Sequence, residues 1–265
     1  MDDNNVIDNG LVDVFHAEDT IFNNCMNDFN DFPKYITHYD DIKGRFSNKF
    51  MSKAFKNLNL DAVFERRNGK LVNLEHHSGP VPMRRNYSFV VTVFEASGLS
   101  IESFIFNTGK IPKKQVEYLN DTMFYNPKFF NTFEIRGIVN LNNFRYKVTD
   151  KEELNQFDAL DLIWLVKTNI DIDLESLLME LTDIWANAVA PKWILSSIRK
   201  NMIIWAKKFI VDEENIKKFK KVIRMSRTEV ISFDEAMKGA AISGELYRAE
   251  KKGMMKVRGV LFLFC

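Results

Sequence analysis

The sequence predicts an α/β protein: a mixed core ending near residue 148, then a helical C-terminal region. Three observations carry that prediction. Two segments with period-two apolar spacing flank an Arg-Asn-Gly turn; a helix-like stretch and a short apolar strand follow them; and from Lys151 onward nearly all the chain repeats with the helical period. The expected organisation is a polar, loosely ordered segment over 1–40, an α/β core over 41–148 and a helical region over 149–265.

Taken in order, the elements follow from local pattern. Residues 1–40 are Asn/Asp-rich and are expected to pack loosely. From Ile42 to Asn57, the spacing of Phe46, Phe50, Met51, Ala54 and Phe55 predicts a helix. "NLNLDAVFER" and "KLVNLEHH" then alternate around "RNG", which predicts a β-hairpin. After Pro80 and Pro82, "MRRNYSFVVTVFEASG" predicts a helix stopped at Gly98. "SIESFIFNTG" reads as a strand, and so does "NTFEIRGIVNLNNF". "KEELNQFDALDLIWLVKT", "LESLLMELTDIWANAV" and the basic stretch after Pro191 read as helices. The apolar ending "VRGVLFLFC" is expected to be a truncated or frame-shifted tail, because a soluble helix rarely finishes with so many apolar residues.

Composition narrows the function classes. A chain of 265 residues with 46% hydrophobic content and 23 Phe can bury a substantial core. No apolar run approaches the ~20 residues that span a bilayer, and the acidic start is no signal peptide, so no membrane partner is expected. The two cysteines, Cys25 and Cys265, stand at opposite ends without metal or disulfide spacing, which predicts a reduced, cytoplasmic protein. The net charge of +1 hides a split. Up to Asp41 the only Lys or Arg is Lys34, whereas Lys207-Lys208, Lys217-Lys218 and Lys220-Lys221 cluster late in the chain. Such a split suits either a nucleic-acid-facing half or a solvated helix face.

The chemistry concentrates in "LVNLEHHSG", Leu71 to Gly79. Residues two apart on a strand share a face, so Glu75 and His77 point together and His76 points away. Asp61 lies on the preceding strand. A two-residue Asn68-Gly69 turn would pair it with His76, on the wrong face. A three-residue loop with Gly69 in the left-handed conformation would pair Arg66 with Lys70 and set Asp61 opposite Glu75. Asn-Gly suits both. Carboxylates about 5 Å apart at Cβ repel unless a cation lies between them, and Mg²⁺ is the hard ion that prefers such oxygens. A shared site therefore requires the bulged turn.

Asp61, the hairpin, "LEHHS", a helix and then "FNTG" resemble the PD-(D/E)XK nuclease superfamily, and within it the Rpn-type recombination-promoting nucleases, also called putative transposases. The likeness covers about Gly44 to Gly109. It implies a PD-(D/E)XK-like core, a mixed sheet flanked by helices, with Asp61 and Glu75 as ligands of a catalytic Mg²⁺ for which Mn²⁺ can substitute. It implies that His77 stands where the family carries Lys or Gln, against the attacking water or the scissile phosphate. The implied partner is double-stranded DNA, with a homodimer compatible, and the implied role lies in recombination or transposition. Arg84 and Arg85 open the next helix and could hold phosphate or simply form a solvated first turn.

Two departures define the alternative. His77 replaces the usual Gln, and "GRFSNKFMSKAFK" lacks the supplementary acid some nucleases carry there. A catalytically degenerate protein of this fold, binding nucleic acid or a protein, fits those departures. His76-His77 has no Cys and no helical His pair to complete a zinc set. Thr108-Gly109-Lys110 lacks the upstream glycine of a phosphate loop and reads as a strand end. Trp164, Trp185, Trp193 and Trp205 lie on apolar helix faces and read as core.

Overall fold

Period-two alternation in the middle of the chain builds a five-stranded mixed sheet, seen in a computed structural model that describes residues 16–51, 57–111, 115–121 and 123–225. The elements run α1 (Ala17–Asp28), α2 (Phe32–Thr37), β1 (Ile42–Arg45), β2 (Lys49–Met51), β3 (Asn57–Asn59), β4 (Ala62–Arg66) and β5 (Leu71–His77). They continue with α3 (Met83–Ser97), β6 (Ile101–Asn107), β7 (Glu117–Tyr118), β8 (Phe124–Tyr125) and β9 (Lys128–Asn131). The helices α4 (Gly137–Thr149), α5 (Gln156–Trp164), α6 (Leu174–Asn187), α7 (Lys192–Phe209) and α8 (Glu213–Met225) follow. No helix among the described residues is long and apolar enough to cross a membrane.

The chain divides into two units, one of residues 25–146 with 155–171, the other of 1–24, 147–154 and 172–265. In the first, the sheet order is β1-β4-β5-β6-β9, with β1, β4 and β5 antiparallel and β5, β6 and β9 parallel. The α3 crossover joins β5 to β6. It ends where Gly98 adopts φ 70°, its N–H donating to the Phe94 carbonyl, a left-handed stop that glycine takes without strain.

The two faces of the sheet differ in chemistry. On one, Val63 and Leu71 pack with Phe89 and Val93 of α3, and Ile105 packs with Met83 and Tyr125. On the other, Phe106 meets Phe32 at 5.8 Å and Trp164 at 4.8 Å between ring centroids, and Tyr35 meets Phe130 at 5.2 Å. In the second unit, α6 and α7 bury Leu177, Leu181, Ile198 and Met202. Trp185 Nε1 there donates to the Leu195 carbonyl at 2.8 Å, and Lys208 Nζ grips the buried Glu18 carboxylate at 2.6 and 2.7 Å.

Four expectations change. The stretch before residue 41 is largely helical from Ala17, because Ile21, Phe22, Cys25, Phe32 and Ile36 are buried beneath its polar composition. Ile42–Arg45 and Lys49–Met51 are strands, not a helix. Gly44, Ser47 and Asn48 disfavour helix, and β4 offers ladder partners from Ile42↔Arg66 to Arg45↔Phe64. Beyond Asn131 the "NTFEIRGIVNLNNF" strand gives way to a short 3-10 turn and α4, where Leu141 and Phe144 are buried at helical spacing. Gly137 is required there, since a Cβ would stand 2.1 Å from Thr168 Oγ1. Finally, α5 starts only at Gln156, where Asn155 and Asp158 form a reciprocal capping box. The tail "VRGVLFLFC" and residues 1–15 lie outside the described residues.

Candidate functional site

The hairpin turn decides the geometry. Gly69 adopts φ 78°, Gly69 N–H donates to the Arg66 carbonyl at 3.0 Å, and Arg66 N–H donates to the Lys70 carbonyl at 2.9 Å. This is the three-residue bulged form, and its register runs Glu65↔Leu71, Val63↔Asn73, Ala62↔Leu74. One step further sets Asp61, in the bend that enters β4, opposite Glu75. Asn68 Oδ1 accepts from Lys70 N–H at 3.0 Å and stabilises the turn from within.

Asp61 and Glu75 sit in contrasting environments. Asp61 is exposed, and its Oδ2 accepts the His76 backbone N–H at 2.8 Å. Glu75 is only 4% exposed, and its Oε1 has no hydrogen-bond partner. Burial pushes the Glu75 carboxyl well above its ordinary range, and the Asp61 charge pushes it further. The Asp61 backbone N–H, the Arg85 guanidinium and the Asn73 amide pull in the opposite direction. Asn73 approaches closely enough to act on that charge but without hydrogen-bond geometry, so both its amide atoms stay unpartnered. Behind them, Ser103 Oγ and Tyr125 Oη are 2.7 Å apart. Burial drives the Tyr125 hydroxyl up to about 12 against the Ser103 bond, with the Glu75 charge adding to the rise.

The two histidines separate as strand alternation requires. His76 is buried on the aromatic face, its ring 5.8 Å from Phe106 and 6.2 Å from Trp164, with Nε2 3.0 Å from Thr108 Oγ1. His77 shares the Glu75 side and is half-buried, with Nε2 3.0 Å from Asn86 Nδ2 on α3. The "FNTG" stretch supports both. Thr108 N–H donates to the His77 carbonyl at 2.9 Å, and Gly109 passes so close to Ser78 that a Cβ would lie 2.6 Å from its carbonyl oxygen. That glycine is a close-approach residue, not part of a phosphate loop.

Arg84 and Arg85 diverge. Arg84 Nε donates to Glu117 Oε1 at 2.9 Å, while Arg85 stacks on Phe89 at 5.1 Å and acts on the Glu75 charge. Together with Val81, Pro82, Met83 and Glu117 they line an open cleft of about 380 Å³ beside α3. Sequence reasoning missed Asn73, Asn86 and the Ser103–Tyr125 pair. Asn73 was legible, being two residues from Glu75 on the same strand. Asn86 gave no signal, because nothing local says which helix face meets the sheet.

No family model, curated protein or solved structure matches the chain. Among the described residues, no group of three or more His, Cys, Asp or Glu side chains is placed to hold a metal ion. Asp61 and Glu75 stand opposite each other across the hairpin, one exposed and one buried with an orphaned oxygen, and the Asp61 charge acts on Glu75. That donor set fits a hard dication that takes one or two protein carboxylates and completes its shell with water and phosphate.

Proposed function

We propose that the chain is a metal-dependent DNA endonuclease of the PD-(D/E)XK kind, similar to the Rpn-type recombination-promoting nucleases, acting in the cytoplasm. One observation carries the proposal: the bulged turn sets the Asp61 carboxylate opposite a buried Glu75 whose Oε1 lacks any partner. A buried carboxylate beside another negative charge destabilises a fold unless a proton or a cation joins it. The hairpin, α3 and β6 follow one another along the chain in the order of the motifs on which the resemblance rests.

In this proposal Asp61 and Glu75 hold Mg²⁺, which when bound neutralises phosphate charge and eases deprotonation of a water. His77, on the same side of β5, contacts the attacking water or the scissile phosphate. Arg85, already acting on Glu75, attracts the DNA backbone along the cleft beside α3.

A plasmid-nicking assay with Mg²⁺, Mn²⁺, Ca²⁺ and EDTA tests this. The parent should nick with Mg²⁺ or Mn²⁺ and stop with EDTA, and Asp61→Ala and Glu75→Ala should each abolish cleavage while leaving DNA binding largely intact. Cleavage by either variant at the parent rate would end the assignment. The alternative, a degenerate protein of this fold that binds nucleic acid or a protein, draws support from His77, whose Nε2 is engaged by Asn86. Calorimetry separates the two: a degenerate protein shows no Mg²⁺ or Mn²⁺ site that disappears with Glu75→Ala.

A further inference from the structure

We propose that Asn86 is a positioning residue that fixes the ring orientation and tautomer of His77; its catalytic consequence rests on the nuclease proposal, its structural one does not. Asn86 lies in the second turn of α3, is 0% exposed, and places Nδ2 3.0 Å from His77 Nε2. Its own Oδ1 is buried without a hydrogen-bond partner.

That arrangement is a poor way to fill a core. A leucine of the same branching would leave no orphaned carbonyl, whereas the amide loses its hydration for one bond and an unpaired oxygen. The bond reaches a histidine standing two residues from Glu75 on the same side of β5. An amide N–H can only donate, so the Nε2 it meets must be an acceptor. With the amide in this orientation the ring proton of neutral His77 sits on Nδ1, the minor tautomer of free histidine. Metal sites use such outer partners to aim imidazole rings, and losing one typically costs 10–100-fold in activity or affinity. Here the aimed ring is the one opposite the proposed water and phosphate, and the aiming group comes from the helix rather than from the hairpin.

Two readouts test the proposal on the full chain. The first is ¹⁵N NMR of the imidazole rings at neutral pH. The chain has four histidines, so His77→Ala assigns the signal by subtraction. The parent should show His77 as the Nδ1–H tautomer. Asn86→Leu should release it to exchange, and Asn86→Asp, which offers only acceptors, should move the proton onto Nε2. The same tautomer in the parent and both variants would overturn the proposal, whatever the cleavage assay gives.

The second readout is kinetic. Asn86→Leu should lower kcat about 10–100-fold with KM little changed and thermal stability equal or higher, and should have no further effect in a His77→Ala background. An equal fractional loss in both backgrounds, or none in either, would overturn it. Absence of Mg²⁺-dependent cleavage by the parent would instead remove the nuclease proposal, and the ring spectra would still decide the role of Asn86.

Discussion

Replacing Glu75 by Gln keeps the shape of a buried side chain and removes its charge, and the structure fixes the sign of the outcome. In the folded protein burial and the Asp61 charge hold the Glu75 carboxyl well above its ordinary 4.5; in the unfolded chain it returns to that value. Between the two values the folded state carries one more proton than the unfolded state, so stability falls as pH rises. The decline starts near the unfolded value and is complete once pH passes the folded one. One group titrating in this way contributes at most ~1.4 kcal/mol per pH unit. Without metal, urea unfolding of the parent should lose stability relative to Glu75→Gln as pH rises above 4.5, with a slope difference no larger than that limit. Other titrating groups cancel in the comparison except Asp61, whose charge is coupled to that of Glu75. Mg²⁺ should reverse the trend, since a bound dication favours the ionised carboxylate; at 100 times its Kd it adds ~2.7 kcal/mol to the parent and nothing to Glu75→Gln. Parallel pH curves for the two proteins in the absence of metal would refute the claim that burial and the Asp61 charge raise the Glu75 carboxyl.

The hairpin and its neighbours give further expectations. Gly69→Val should cost ~1–2 kcal/mol in urea unfolding purely through backbone strain, because φ is 78° while a Cβ would meet nothing within 4 Å. Gly109→Ala should cost more, ~1–3 kcal/mol, and should weaken the Mg²⁺ response, because its Cβ would stand 2.6 and 2.9 Å from backbone atoms of Ser78. If Lys217, Lys218, Lys220 and Lys221 on α8 contact phosphates, removing each should flatten the log–log salt dependence of DNA binding by ~0.9, and an unchanged slope would make them a solvated face. Lys208 is not among them, since the buried Glu18 already holds it, whereas the Lys218 partner, Glu214, is exposed.

The parts of the fold that were legible are those in which local pattern and tertiary demand agree. The hairpin, α3 with its Gly98 stop, β6 and the helices α6 and α7 all carry a period that matches the surface they bury. The stretch from Ile42 was misread because its phenylalanines satisfy a helical spacing, while Gly44 and the pairing with β4 favour strand. The segment from Ala17 was hidden by composition: its exposed Asn and Asp outweigh a buried stripe of Ile21, Phe22 and Cys25. At the site, Asn-Gly admitted two registers, and only the demand that two carboxylates meet selected the bulged one, which the structure adopts. Asn86 stayed hidden because a helix residue declares its partner only once the helix is docked.

The polar groups of the sheet unit follow one rule of placement. Glu75, His76 and His77 end β5, Asn107 and Thr108 end β6, and Asn131 ends β9, all at the carboxyl ends of parallel strands. Asn107 ties this edge together, its Nδ2 reaching Asn131 Oδ1 at 2.9 Å and the Lys110 carbonyl at 3.2 Å. On the α3 side the first residues of β5 and β6, Leu71 and Ile101, are apolar, and the buried polar Asn73 and Ser103 follow them. In open α/β sheets that carboxyl edge is where ligands bind, because loops and helix starts leave a crevice there. Burying amides and a carboxylate at this edge lowers stability, and the loss is not spread over the sheet but gathered around one side of β5. Asn73, Glu75 and Asn86 each keep an unpartnered atom there. A fold maintained for packing alone would replace them with aliphatic residues at no cost in shape. Glu75 and Asn86 lie at the edge that α/β sheets use for ligands, with Asn73 two residues back on β5; this placement supports the proposed function, which the Asp61–Glu75 pair allows to be tested first.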